Sequence, residues 1–373
     1  MKKILIFLIT FLSLVSVITT DAYAENEYEL NGLKDEVSDG IFSAMEDEVA
    51  EALFEIGITD LDFSGVYNLS FSEILSYFTP EIKSKAVNVL KSLTGTFSVM
   101  LLYMLFSTLL YGDEREKTFE LLMTALIAVI VMPMLRNTIA PAVSVMKITN
   151  SFIVSYIPVL TLILSFSGSG ASAVLFNTSV VGICELMSFI INGVLVDFIG
   201  LFICVVTAFS MNDSMRASRI ISAVNRLFTV IMTSAGALFS GILTVKNVMA
   251  ASVDSLSVRG IRFVLSSFIP VIGSSISEAY SSVLGSINLI KGSAVVIGIL
   301  AVAIINVPVI AELFMYYISF SALGYFSEIC CTDKASGIFR MCASVTRIFM
   351  ALIIFEIFIL VISTGLIITI KNS

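Results

Sequence analysis

The chain contains no histidine and no tryptophan, and only 13% of its 373 residues carry a charge. Without histidine, Ser-His-Asp and Cys-His catalysis, histidine-ligated metals and the usual near-neutral proton shuttle are excluded. Cysteine is sparse: Cys184, Cys204, Cys330, Cys331 and Cys342 form no C-x-x-C pair and lie in or near apolar segments. They read as small buried hydrophobes, and the adjacent Cys330 and Cys331 are badly placed to bridge each other. There is no G-x-x-x-x-G-K-[ST] loop and no G-x-G-x-x-G after a strand, and Ser167-Gly168-Ser169-Gly170 is a turn signal. No catalytic, cofactor-binding or metal-binding residue is therefore expected.

The shortage of charge also decides the class. Soluble domains carry about 25% charged residues. Here 57% of residues are hydrophobic and the mean hydropathy is +1.01. A surface so poor in charge cannot face water, so an all-α, polytopic membrane protein is expected.

The charge that is present is unevenly placed. Residues 25–92 hold 15 acids against 4 bases, whereas the formal charge of the whole chain is −8. Phosphates would be repelled there, so no nucleic-acid partner is expected. Ahead of this stretch, Met1-Lys2-Lys3, an apolar run Ile4–Thr19 and Ala22-Tyr23-Ala24 have the pattern of a cleavable signal peptide. Three regions follow as expectations: a signal over 1–24, an acidic extracytoplasmic region over 25–92 and a multi-pass membrane domain over 93–373. In the second, Leu30, Leu33, Val37, Ile41, Met45, Val49, Leu53 and Ile56 recur at helical spacing. That stripe needs a partner: the region's own helices, the bilayer surface or another protein. Ser70 and Glu73 have capping-box spacing, and Pro80 suits a first helical position.

Hydropathy predicts spans over Leu93–Leu110, Phe119–Leu135 and Ile148–Phe166. Ser172–Ser210 is too long for one crossing and is expected to turn near Asn192-Gly193. A polar link over Asn212–Arg226 and a span over Phe228–Val245 follow. Ala250–Gly292, with Pro270 and Gly273 at its centre, reads as a broken or re-entrant element. Val295–Phe326 makes one long or two short elements, and Ile348–Ile370 is the last span. The expected total is about seven or eight spans, with the broken element in addition. An external start after the signal places the basic segments around Arg115 and Arg219 in the cytoplasm, and that around Arg340 too if the broken element does not fully cross, as the positive-inside rule requires. Arg136, Lys147, Lys246, Arg259 and Arg262 would then fall outside, against that rule.

Five acids lie inside apolar runs: Glu185, Asp197, Glu278, Glu312 and Glu356. A charge at mid-bilayer costs roughly 2.5–3.5 kcal/mol on insertion scales. Each acid therefore serves a polar path or a helix–helix hydrogen bond, or lies nearer the interface than hydropathy suggests. Glu278 stands out because broken membrane helices occur where polar backbone is needed. Small residues such as Gly236, Gly241, Ser274, Ser275 and Gly285 suit close helix packing or a pore lining.

Three stretches now take on meaning together: Ser155-Tyr156-Ile157-Pro158-Val159-Leu160, Phe268-Ile269-Pro270-Val271-Ile272-Gly273 through Ser277-Glu278-Ala279, and Lys291-Gly292 before an apolar run. In this order, with a signal and an acidic region ahead of them, they resemble the stage III sporulation protein AE family. Glu278 stands where that family usually carries Asp. The resemblance implies a multi-pass, non-enzymatic protein of the mother-cell membrane around the forespore, with its N-terminal region in the intermembrane space. It would belong to a channel or secretion-like complex supporting forespore development. Its implied partners are the other membrane subunits, a separate ATPase, a forespore-side protein and the lipid bilayer. Pro158, Pro270, Gly273, Ser274, Ser275 and Glu278 are the candidates for a polar path or subunit contact. The alternatives are a stand-alone secondary transporter or permease, which would need related halves, and an intramembrane enzyme built on a pair such as Ser286 and Lys291.

Overall fold

Leu33, Val37, Ile41, Met45, Val49 and Leu53 are all buried, so the apolar stripe of the acidic region is a core face. The computed structural model describes residues 32–58, 71–107, 113–167, 169–190, 196–210, 217–268, 273–329 and 333–369. The expected signal, Ser70, Asn192-Gly193 and Pro270 lie outside the described residues. Among those described, every regular element is a helix.

The stripe is folded into two helices, α1 over 32–43 and α2 over Asp47–Glu55. Gly57 ends α2 at φ 96°, where a residue with a Cβ would be strained. Its N–H bonds the Phe54 carbonyl and that of Ile58 bonds the Leu53 carbonyl, which together form a Schellman cap. The stripe's partner is the chain's own membrane part: Gly40 abuts Val159, and α2 packs on the helix that follows residue 272.

Seven further helices follow: α3 Phe71–Ser107, α4 Asp113–Phe166, α5 Gly170–Phe189, α6 Val196–Ser210, α7 Ala217–Phe268, α8 Gly273–Ile329 and α9 Asp333–Thr369. Six of the described helices are long and apolar enough to cross a membrane, and α6 is a shorter apolar helix. The chain is a polytopic helical membrane protein. α4 absorbs two expected spans and the loop between them: Arg136–Lys147 is helical, and Pro133, Pro141 and Pro158 all lie inside the helix. Neighbouring helices in a bundle can satisfy the backbone groups that proline frees. Likewise α8 carries Pro308 without a break, so Val295–Phe326 is part of one long element.

Cross-helix contacts fix the directions. Thr149 meets Asn306, while Tyr156 meets Ala294, so α4 and α8 are antiparallel. Lys85 meets Glu312, Ser92 meets Tyr316 and Phe97 meets Phe326, so α3 and α8 are parallel. Asn225 with Ser344 and Gly236 with Phe355 set α7 parallel to α9. Glu120 with Lys334, and Leu135 and Phe349 on one groove, set α4 parallel to α9. The end of α3, the start of α4, the end of α8 and the starts of α7 and α9 thus share one end of the molecule. α6 descends to that end, because Phe198 meets Phe228 and segment 211–216 is too short for any other path. α5 returns from the end of α4 in the same direction. Ser172–Ser210 is therefore two helices following one another beside α4 and α7, and not the expected hairpin.

Height is the unusual dimension. The stretch of α4 from Thr118 to Phe166 has 49 residues and that of α8 from Val283 to Ile329 has 47. At 1.5 Å per residue each is about 70 Å long, more than twice the roughly 30 Å of hydrocarbon in a bilayer. The bundle has two apolar tiers. The lower holds α3 from Leu93, α4 to Leu135, α6, the start of α7, the end of α8 and the start of α9. The upper holds the rest of α4, α5, the first half of α8, and α1 with α2.

Candidate functional site: a polar waist between two apolar tiers

The tiers meet where α4 passes from Arg136 to Lys147, and polar groups from five helices gather at that height. On the surface, Lys85 of α3 donates to the Glu312 carboxylate of α8 at 3.0 Å, with both side chains about four-fifths covered. The same lysine lies 3.9 Å from Glu81, one helical turn back. Ser92 and the Tyr316 hydroxyl continue the polar row one turn further along, at 3.4 Å. Reversing one sign, in Lys85→Glu, is expected to lower stability by about 1 kcal/mol. Adding Glu312→Lys should restore most of the loss, read as unfolding in mixed micelles. An unchanged midpoint in the single variant would remove the pair from this account.

Inside the waist, Asn306 of α8 is fully buried. Its amide donates to Thr149 Oγ1 and to the Val302 carbonyl, both at 2.8 Å. Its Oδ1 has no hydrogen-bond partner among the described residues. Just above, the Tyr156 hydroxyl donates to the Ala294 carbonyl at 2.8 Å, and its ring stacks on Phe152. Gly298 lies under that ring: a Cβ there would overlap Tyr156 Cζ and its hydroxyl. Ala294, Gly298, Val302 and Asn306, at four-residue steps on α8, thus form one seam against Tyr156 and Thr149 of α4.

Glu356 of α9 is 2% exposed, and neither carboxyl oxygen has a hydrogen-bond partner among the described residues. Buried Cys184 of α5 is its electrostatic neighbour. Glu185, the next residue, and Asp197, in the first turn of α6, are exposed. The waist therefore gathers Glu312, in a half-buried ion pair, and Glu356, a buried acid. Pro158 lies apart from it, exposed in the upper tier beside Val159. Gly273, Ser274, Ser275 and Glu278 begin α8, and their side chains, like Pro270, lie outside the described residues. Gly236 packs on Phe355, whereas Gly241 and Gly285 have open space where a Cβ would stand.

Reading only acids as costly passed over Asn306, an amide inside the apolar run Ala303-Ile304-Ile305-Asn306-Val307. The same rule applied to amides would have found it. Arg136 and Lys147 were hidden by their assignment to a loop.

The lower end carries two more pairs. Lys334, 8% exposed, lies 3.2 Å from Glu120, and Arg340 pairs with Glu328. Arg340 also lines a pocket of about 170 Å³ with Arg347, Tyr317, Tyr325, Ser321 and Asn225. Among the described residues no group of histidine, cysteine and acidic side chains could hold a metal ion.

The profile of the family described as stage III sporulation protein AE matches residues 53–370. A curated relative, stage III sporulation protein AE of Bacillus subtilis (strain 168), is 23% identical over 217 residues. The alignment covers 57% of this chain and 54% of the relative, so the match spans about half the length of that protein. No solved structure matches. With the profile running from α2 to the end of α9, over both tiers and the waist, the chain belongs to the stage III sporulation protein AE family.

Proposed function

We propose that this chain is a non-enzymatic membrane subunit of a sporulation channel or secretion-like complex that links mother cell and forespore. Family membership supports the role in sporulation. The observation that carries the assembly reading is the height of the bundle. Helical stretches of 49 residues in α4 and 47 in α8, each too long for one hydrocarbon layer, leave a second tier of partly apolar surface that one bilayer cannot cover. Leu122, Leu126, Val129, Val174, Leu186, Phe189, Leu238 and Val245 are exposed along both tiers. Surface of that kind is covered by neighbouring protein in an assembly.

In this reading the chain lies in the mother-cell membrane around the forespore, with residues 25–92 in the intermembrane space facing a forespore-side partner. A separate ATPase supplies energy, and the start of α8, Gly273 to Glu278, shapes a polar path or a subunit contact. The test uses a tagged full-length chain in sporulating cells. It should co-purify with other membrane subunits and an ATPase, and Glu278→Leu should cut both assembly and the yield of heat-resistant spores by about tenfold or more. Isolation of the chain alone, together with solute uptake by the purified protein in liposomes, would replace this reading with that of a stand-alone transporter.

A further inference from the structure

We infer that the groove between α4, α6 and α9 at the waist is a binding site for an anionic phospholipid. It has a volume of about 530 Å³. Its apolar wall is built from Met132, Leu135, Ile139, Ile199, Ile203 and Phe349, and Gly200 leaves it open at α6. Two cations of α4, Arg136 and Lys147, stand on the same wall. Both are exposed, and neither has an ion-pair partner among the described residues. Among the described residues no acid lines the groove, and Asp197, in the first turn of α6, is not part of its wall. An apolar trough edged by positive charge alone complements a phosphate head with hydrocarbon attached.

Height places the groove where such heads are found. From Glu120, paired with Lys334 at the lower end, to Arg136 is a rise of about 24 Å along α4, close to the thickness of the hydrocarbon. Above Lys147 another apolar tier begins. Whichever tier fills the hydrocarbon, Arg136 or Lys147 stands at its boundary, at the level of the phosphates. The two cations are about 16 Å apart along the helix, so a head held by either leaves its chains on the apolar wall. Basic pockets between transmembrane helices bind anionic head groups in this way. The same placement accounts for two cations that fit no positive-inside pattern: they are retained at the interface by lipid.

The experiment uses the full-length chain in nanodiscs of phosphatidylcholine with a few per cent spin-labelled phosphatidylglycerol or phosphatidylcholine. The fraction of motionally restricted label should be higher for phosphatidylglycerol. Arg136→Gln and Lys147→Gln should each lower that preference about fivefold, the weight of one basic residue near an anionic surface. Gly200→Leu keeps both charges and fills the groove; its Cβ meets nothing within 4 Å, so the fold tolerates it. It should also release the restricted lipid. Inorganic phosphate at millimolar concentration should not compete. A preference that survives both Gln substitutions overturns the site. So does a preference that phosphate abolishes and Gly200→Leu leaves intact, since that describes an anion site without a place for the chains.

Discussion

Lys334→Met is expected to destabilise the bundle by about 3–5 kcal/mol, the cost of leaving one member of a buried ion pair without its partner. Lys334 is 8% exposed and lies 3.2 Å from Glu120, whose side chain is 18% exposed. The pair ties the first turn of α9 to the first helical turns of α4 at the lower end, where α3 also ends. Removing the lysine leaves Glu120 held close to apolar neighbours, with Tyr103 and Phe119 stacked nearby. The double variant Lys334→Met with Glu120→Leu should recover most of the loss, because two apolar groups of similar volume replace the pair without a stranded charge. A double-mutant cycle on unfolding in mixed micelles measures the coupling. A single variant within about 0.5 kcal/mol of the parent would mean that Glu120 is already solvated there.

Much of this bundle is legible from hydropathy, and the reasons why differ along the chain. The stripe from Leu33 to Leu53 is visible because period and burial coincide: each residue named for the inner face is buried. The break between α1 and α2 is not visible in that stripe, since Met45 and Val49 keep the period across it. The described parts of the spans over Leu93–Leu110 and Ile348–Ile370, residues 93–107 and 348–369, fall within α3 and α9 for the same reason. Helix continuity through Arg136, Pro141 and Lys147 is invisible, because the cations and the proline are ordinary signs of a loop. What overrides them is tertiary: α8 and α9 pack against α4 at that level and supply the walls on which it continues. The direction of α6 is equally hidden, since nothing in Ser172–Ser210 tells a hairpin from two successive helices.

The waist was half legible. The cost of a charge in hydrocarbon singles out Glu312 and Glu356. It cannot tell that Glu312 is paired with a lysine 227 residues earlier while Glu356 is enclosed. That difference changes their chemistry. A half-buried pair at the boundary of a tier anchors α3 to α8 and costs little. A buried carboxyl without a hydrogen-bond partner among the described residues contributes nothing evident to stability.

Gly298→Val is expected to force α4 away from α8 and to lower stability by about 3 kcal/mol, the upper part of the range for overpacking. The reason is local. A Cβ at 298 overlaps Cζ and the hydroxyl of Tyr156, and Tyr156 is fully buried with its ring stacked on Phe152. The ring is enclosed, and its hydroxyl is held by the Ala294 carbonyl one turn from Gly298. Displacement would break that bond and disturb the contact of Asn306 with Thr149 two turns below. Tyr156→Ala should be costly alone, by about 3 kcal/mol, through the cavity it opens. It should nevertheless make Gly298→Val nearly neutral, since the valine then occupies vacated space. The non-additivity of the pair is what separates a steric seam from a general intolerance of β-branched residues in α8. Additive losses in Gly298→Val and Tyr156→Ala would show that the two helices do not meet through this glycine.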